Sequence, residues 1–64
     1  MTVVREGQRY WKHGDHSHVW IVDAIVRDDG QRSPFAILVR EDGREVEDVE
    51  VSHLEDRNQY TPAA

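Results

Sequence analysis

The sequence predicts a small all-β domain, with an antiparallel sheet of four to five short strands and one helical turn near the C-terminus. Two apolar segments, Val19 to Val26 and Phe35 to Val39, are rich in the β-branched and aromatic residues typical of strands. Turn-forming residues separate them, and no stretch has the periodicity of a full helix. With 64 residues, the chain is long enough for one domain.

The N-terminal half predicts three strands joined by two loops. Residues 7–12, GQRYWK, form a first strand, and a loop turning at Gly14 leads into the long strand Val19 to Val26. Residues 28–30, DDG, then supply the left-handed position of a turn, and Pro34 fits a strand only at its first residue. The long strand and the one after it therefore form a hairpin with an exposed tip.

A second hairpin follows, because residues 42–43, DG, mark a tight turn. The returning strand carries Val46, Val49 and Val51. The step of three between Val46 and Val49 breaks the two-residue period of a strand, so we expect a β-bulge or a sharp bend near residues 47–48.

The C-terminal residues predict one helical turn and a frayed end. Ser52 and Glu55 have the S-x-x-E spacing of a capping box, and too little apolar periodicity follows for more than a turn. Residues 56–64 are polar and contain proline, so we expect a frayed tail. The predicted domain therefore occupies residues 1–55.

This order of strands and turns resembles small SH3-like barrels of the Tudor or KOW kind. In the resemblance Gly7, Tyr10 and Trp11 open the barrel, and residues 42–54, DGREVEDVEVSHL, end it with a short turn before a last strand. It covers roughly residues 4 to 55 and includes no specific family motif. The resemblance implies a rolled antiparallel sheet, and such a fold hosts many functions.

Composition limits the partners of the chain. Eight Lys and Arg stand against thirteen Asp and Glu, a net charge of −5, which opposes the phosphate neutralisation that duplex-DNA binding needs. The acids concentrate from Glu41 to Asp56, whereas Arg5, Arg9 and Lys12 lie near the start. A dipolar chain of this kind suits pairing with itself or with a basic partner.

Cysteine is absent, so disulfides and Cys-ligated zinc are excluded. The first residues, MTVVREGQRYW, lack the pattern of a signal peptide, and the longest apolar run is too short for a membrane span. We therefore expect a protein of a bacterial-type cytoplasm that does not bind membranes.

The long strand is apolar on both of its faces. Val19, Ile21, Asp23 and Ile25 alternate with Trp20, Val22, Ala24 and Val26. In one interpretation the strand bends at a bulge near Asp23 and contributes to the core first with one face, then with the other. In the other interpretation the face carrying Trp20, Val22 and Leu38 packs against a partner or a second copy of the chain.

Aromatic residues offer a second candidate surface. Tyr10 and Trp11 are adjacent and must point to opposite faces of a strand, so one is core and the other partly exposed. The SH3-like resemblance implies that Trp11 or Trp20 lines a groove for peptides, methylated side chains or bases. Alternatively, both tryptophans close the ends of an undersized core. The predicted binding residues are Tyr10, Trp11, Trp20, Val22 and Leu38.

The segment HGDHSH, residues 13–18, allows three interpretations. His16 and His18 would lie on one face of a strand, about 7 Å apart, and His13 or Asp15 would complete a zinc site. The same imidazoles would gain charge together on acidification and form a pH-sensitive loop. The third interpretation is an ordinary turn built on Gly14.

Catalysis is not expected. The chain has no Cys nucleophile, and Ser17 cannot form a dyad with its strand neighbours His16 and His18 because adjacent side chains face apart. A barrel of this size seldom contains a catalytic cleft.

The sequence thus predicts a small non-enzymatic binding or assembly module that recognises a protein partner or itself. One alternative is a nucleic-acid accessory domain, in which Trp11 stacks on bases and basic side chains contact phosphates. The basic residues of that alternative are Arg5, Arg9, Lys12, Arg27 and Arg32. Another alternative is a His-based metal-binding domain that uses zinc, and no other cofactor is expected.

Overall fold

The computed structural model describes residues 4–27 and 34–63. All of its strands belong to one antiparallel sheet with the order β4-β3-β2-β1-β5. The elements are β1 (Arg9–Lys12), β2 (Asp15–Val26), β3 (Phe35–Arg40), β4 (Val46–Glu50), α1 (Val51–Leu54) and β5 (Tyr60–Ala63). The predicted all-β class, with five antiparallel strands and one helical turn near the C-terminus, is confirmed. No helix in the described parts of the chain is long and apolar enough to cross a membrane.

The sheet is strongly curled, but it does not close into a barrel. In the described chain β4 and β5 are the two edges and do not pair with each other. Lys12 of β1 nevertheless reaches Glu47 of β4, with 2.7 Å between Nζ and Oε1, although three strand spacings would separate these strands by about 14 Å in a flat sheet. The two edge strands do not pair but are bridged by α1, which contacts both of them and buries Leu54.

Two glycines form the predicted tight turns. Gly14 and Gly43 have φ angles of +83° and +74°, in the left-handed region that favours glycine. Because Gly14 makes a two-residue turn, Lys12 pairs directly with Asp15, and β2 begins four residues before the predicted Val19. The turn predicted at residues 28–30 lies outside the described residues.

A β-bulge at Asp23 changes which face of β2 is buried. Val22 pairs with Leu38 and Ala24 pairs with Ile37, so Asp23 has no partner on β3. The interpretation that the strand bends at Asp23 is confirmed. Side chains on the inner, core-forming side therefore change from even-numbered to odd-numbered positions along β2.

β4 contains no bulge, so the break predicted at residues 47–48 is wrong. Its pairing with β3 is continuous from Val46 to Glu50. Val49 packs against the core, whereas Val46 points outward with 61% of its surface exposed. The step of three arises because Val46 points outward and Val49 inward, with Glu47 at the other inward position. The ion pair of Glu47 with Lys12 offsets the cost of partly burying the carboxylate.

The C-terminal residues differ from the prediction at two points. α1 begins at Val51 with Glu50 as its N-cap residue, and Ser52, the predicted cap, instead donates its hydroxyl to Glu50 Oε2 at 3.4 Å. The predicted frayed tail is ordered into β5, which pairs with β1 over residues 60–63. The domain therefore extends beyond residue 55, because Tyr60 is a buried anchor that polar neighbours conceal in the sequence.

The core lies on the inner side of the curled sheet. Aromatic rings contribute much of it, since Tyr10, Trp20 and Tyr60 are all nearly inaccessible. Tyr10 and Tyr60 meet edge to face with centroids 6.5 Å apart, and the Lys12 ammonium lies 4.2 Å from the centre of a Trp20 ring. The buried core cluster comprises Val4, Tyr10, Trp20, Val22, Ala36, Leu38, Leu54 and Tyr60.

The turn between β3 and β4 makes folding sensitive to acid. Arg40 binds Asp42 with two guanidinium contacts of 2.8 and 2.9 Å, and these contacts together with the Arg44 amide lower the pKa of Asp42 from 3.8 to about 2. A carboxyl whose pKa falls on folding stabilises the fold when it is ionised. The contribution of Asp42 is therefore present above pH 4 and is lost as the pH falls from 4 to 2.

We expect Asp42→Asn to lower the thermal unfolding midpoint near neutral pH and to have little effect near pH 2. The measurement is the midpoint of both proteins by circular dichroism between pH 2 and 7. The carboxyls of Asp15 and Asp56, whose pKa values are also lowered, are common to both proteins and cancel in the difference. A difference that stayed constant down to pH 2 would contradict the assignment.

Candidate interaction surface

Four of the five predicted binding residues lie in the core. Tyr10, Trp20, Val22 and Leu38 have between 0 and 3% of their surface exposed, so none of them is available to a partner. The prediction placed the partner on the side of the sheet that the fold uses for its own core. Trp11, the fifth residue, points to the outer side and is half-buried.

The outer side of the sheet carries the apolar surface that remains. Strand pairing sets side by side Val46, Val39 and Ile21 in one row, Ile37 and Ala24 in the next, and Phe35 and Val26 in a third. We call these seven residues the outer patch. All are partly or largely exposed, and none belongs to the buried cluster of the core. Val46 and Val26 are the most accessible, at 61% and 37%.

Charges of opposite sign flank the outer patch. Val46, Asp48 and Glu50 are two residues apart along β4 and therefore share its outer face. Both carboxylates are exposed and border one side of the patch. On the other side Arg9 of β1 pairs with Ile21 and is also exposed. The outer surface is thus apolar in the middle, acidic along β4 and basic on β1.

The sheet edges are poorly suited to adding a strand from another chain. Glu47 on the β4 edge is directed inward, and Asp48 and Glu50 place two more carboxylates on the same short strand. β5 has only four residues and contains Pro62, which lacks an N–H donor. Inward charges and prolines of this kind protect edge strands from pairing. The face of the sheet, not its edge, is therefore the surface to consider.

The structure does not assemble the predicted zinc ligands. No three His, Cys, Asp or Glu side chains among residues 4–27 and 34–63 are arranged to hold a metal ion. Residues 16–18 bulge out of the β1–β2 ladder, since Trp11 pairs with Val19 and Lys12 with Asp15. His16 stacks on the Trp11 ring at 5.4 Å, whereas the Asp15 carboxylate accepts the Ser17 amide at 2.9 Å, a bond that lowers its pKa.

His13 lies in the turn and is exposed, and its amide donates to the Gln59 carbonyl at 2.8 Å. His18 is half-buried and helps to lower the pKa of Asp15 and of Asp42. The four predicted ligands, His13, Asp15, His16 and His18, thus make separate contacts in and around the turn.

The basic residues of the nucleic-acid alternative do not form one surface. Lys12 is on the inner side, where it pairs with Glu47 and covers Trp20. Arg9 is on the outer side. The Trp11 ring, the predicted stacking platform for bases, is stacked against His16. Arg5 and Arg27 are exposed, and Arg32 lies outside the described residues.

Sequence reasoning missed the outer patch because both faces of β2 and β3 are apolar. The usable signal was in β4. Val46 is two residues from Asp48 and four from Glu50, so it shares a strand face with these carboxylates and not with the core-facing Val49.

Comparisons with protein-family models, with curated proteins and with solved structures found no match to this chain.

Proposed function

We propose that this chain is a non-enzymatic protein-binding module and that the outer patch is its binding surface. The observation that carries the proposal is a continuous apolar area spanning three strands, centred on β3 and bordered by charges. Monomeric proteins rarely expose large contiguous apolar patches, and those that persist are often interaction sites. An apolar centre with a charged rim is also the usual composition of protein interfaces.

The same proposal includes an SH3-like topology. Support comes from the order of the strands, from the bend of the long second strand at Asp23, and from the helical turn Val51–Leu54 between the last two strands. In this fold the outer patch belongs to the part of the sheet formed by β2, β3 and β4.

We expect a photo-crosslinking residue at position 46 to capture a protein in living cells. Val46 lies in the outer patch with 61% of its surface exposed, so a probe there reports contacts of the patch without disturbing the core. The measurement is the mass and composition of the adducts after brief irradiation. The matched control is the same probe at Asn58, which is also exposed and lies in the turn before β5, outside the patch.

Protein adducts at position 46 that are absent at position 58 support the proposal. Equal adducts at both positions, no adduct at position 46, or an adduct that nuclease treatment removes would each contradict it.

A further inference from the structure

We infer that the outer patch binds an amphipathic helix of a partner protein, which lies along β3 and carries basic side chains on the flank over β4. The inference rests on the proposed function and goes further by naming the secondary structure and the charge of the partner segment. Three features support it: the shape of the face, the pairing of its backbone groups, and the charges beside it.

The outer face is convex across the strands, which favours a narrow partner aligned with them. The curl that brings Lys12 of β1 to Glu47 of β4 closes the inner side, so the outer side chains of neighbouring strands diverge. A broad, flat partner would touch such a face only along a line. Helices cover faces of this kind on the outside of parallel β-barrels. The outer patch spans three strands, a width of about 10 Å, which is close to the diameter of one helix.

The patch is also long enough for a short helix. Phe35, Ile37 and Val39 follow the outer side of β3 at two-residue steps, and about 14 Å separates the first from the last. At a rise of 1.5 Å per residue, this length corresponds to about nine helical residues. Ala24, the smallest side chain of the patch, lies in register with Ile37 and leaves room beside it for a large apolar side chain of the helix.

A helix, unlike an extended segment, satisfies its own backbone on this face. β2 and β3 are interior strands of the sheet, and their N–H and C=O groups pair with the strands beside them. A segment laid over them meets apolar side chains that offer its backbone neither donors nor acceptors. Buried backbone groups without partners are costly, whereas those of a helix pair within the segment. An extended segment would instead need a sheet edge, and both edges are protected.

The charges beside the patch select basic side chains on one flank of the helix. Asp48 and Glu50 lie on the outer side of β4, in register with Ile37 and Phe35 of β3. Because the face falls away from β3, only long side chains of the helix reach these carboxylates, which suits Lys and Arg. On the other side of the patch, Arg9 attracts an acidic side chain. Reversing the helix would bring like charges together, so a given partner has one preferred direction.

The first test is a display selection on the purified full chain. The library contains random peptides of about 15 residues, a length at which isolated helices begin to form in water. Enriched peptides are expected to carry apolar residues three or four positions apart, with Lys or Arg on one flank. Circular dichroism should show that an enriched peptide becomes helical on binding, and a photo-crosslinking residue at position 46 of the chain should capture it.

Charge exchange between the chain and one enriched peptide locates the basic flank. Fluorescence anisotropy measures the affinity. Asp48→Lys should weaken binding roughly fivefold, and so should replacing a flanking basic residue of the peptide by Glu against the wild-type chain. The two changes together should restore the affinity.

Glu55→Lys is the matched control, because it makes the same change of charge at an exposed position at the end of α1. The Glu55 carboxylate helps to raise the pKa of the buried Tyr10, so it lies on the core side of the sheet. This variant should leave the affinity unchanged. Circular dichroism verifies that both variants of the chain are folded.

The possible outcomes separate this inference from the proposed function. Enriched peptides that are captured at position 46 without becoming helical, or that bind Asp48→Lys as tightly as the wild type, would overturn the helix with its basic flank and leave the patch a binding surface. A chain that crosslinks to itself at position 46 would identify a second copy as the occupant and would also overturn the helix.

A selection that enriches no peptide would overturn the inference, while protein adducts at position 46 in cells would still support the proposed function. Helical peptides that are not captured at position 46, together with no protein adduct there in cells, would overturn both. Helical peptides with a basic flank that are captured at position 46 and respond to the charge exchange support the inference.

Discussion

Tyr60→Ala is expected to destabilise the domain by about 3–5 kcal/mol, which is comparable to the whole stability of a domain of this size. Tyr60 is only 8% exposed and packs its ring edge to face against Tyr10. It is the single buried residue of β5, since Thr61 and Pro62 are exposed. Without this ring β5 retains backbone pairing to β1 but loses its apolar anchor, so we expect a largely unfolded chain.

Urea denaturation followed by circular dichroism measures this effect. Thr61→Ala is the matched control, because Thr61 is the exposed neighbour in the same strand and should change the free energy of unfolding by no more than about 0.5 kcal/mol. A chain that ends at residue 58 lacks β5 entirely and should not fold. If Tyr60→Ala retained wild-type stability, β5 would be an accessory strand and the frayed tail predicted from sequence would be correct.

Leu54→Ala is expected to cost about 2–5 kcal/mol, the range for removing a buried leucine side chain. Leu54 is 2% exposed and is the one buried residue of α1. A helix of four residues has no stability of its own in water, so α1 depends on its packing against the core, where Leu54 is buried and Val51 is partly buried. Losing the Leu54 side chain would open a cavity at the point where the chain crosses between the two edges of the sheet.

The measurement is again the free energy of unfolding, with Ser52→Ala as the control in the same helix. Ser52 is exposed and its contact with Glu50 is long, at 3.4 Å, so the control should be nearly neutral. An equal loss of stability in both variants would show that α1 is held by its polar contacts and not by Leu54.

The local features of the fold were predictable from sequence where backbone chemistry decides them. Gly14 and Gly43 adopt positive φ angles that other residues rarely do, so the turns at these positions could be located. The bend at Asp23 was one of two interpretations of the apolar faces of β2, and the structure selects it. The SH3-like resemblance implied a last strand, but the residues did not locate β5, because one buried ring among polar neighbours gives no periodic signal.

The candidate surface could not be predicted in the same way. The alternation of a strand separates two faces but does not say which of them is buried, and in β2 both faces are apolar. Trp20, Val22 and Leu38 were therefore assigned to a partner when they form the core. Similarly, the histidines of residues 13–18 looked like one cluster, but a bulge and a stacking contact with Trp11 divide them.

The sequence by itself determined the class of the fold, the positions of two turns and the excess of apolar strand surface, because these depend on residues near each other in the chain. Only the tertiary structure decided which face is buried, that β5 completes the sheet, and that Lys12 reaches Glu47. Each of these depends on pairing between strands distant in sequence. Curling of the sheet buries one apolar face, and the other face, flanked by Asp48 and Arg9, remains outside.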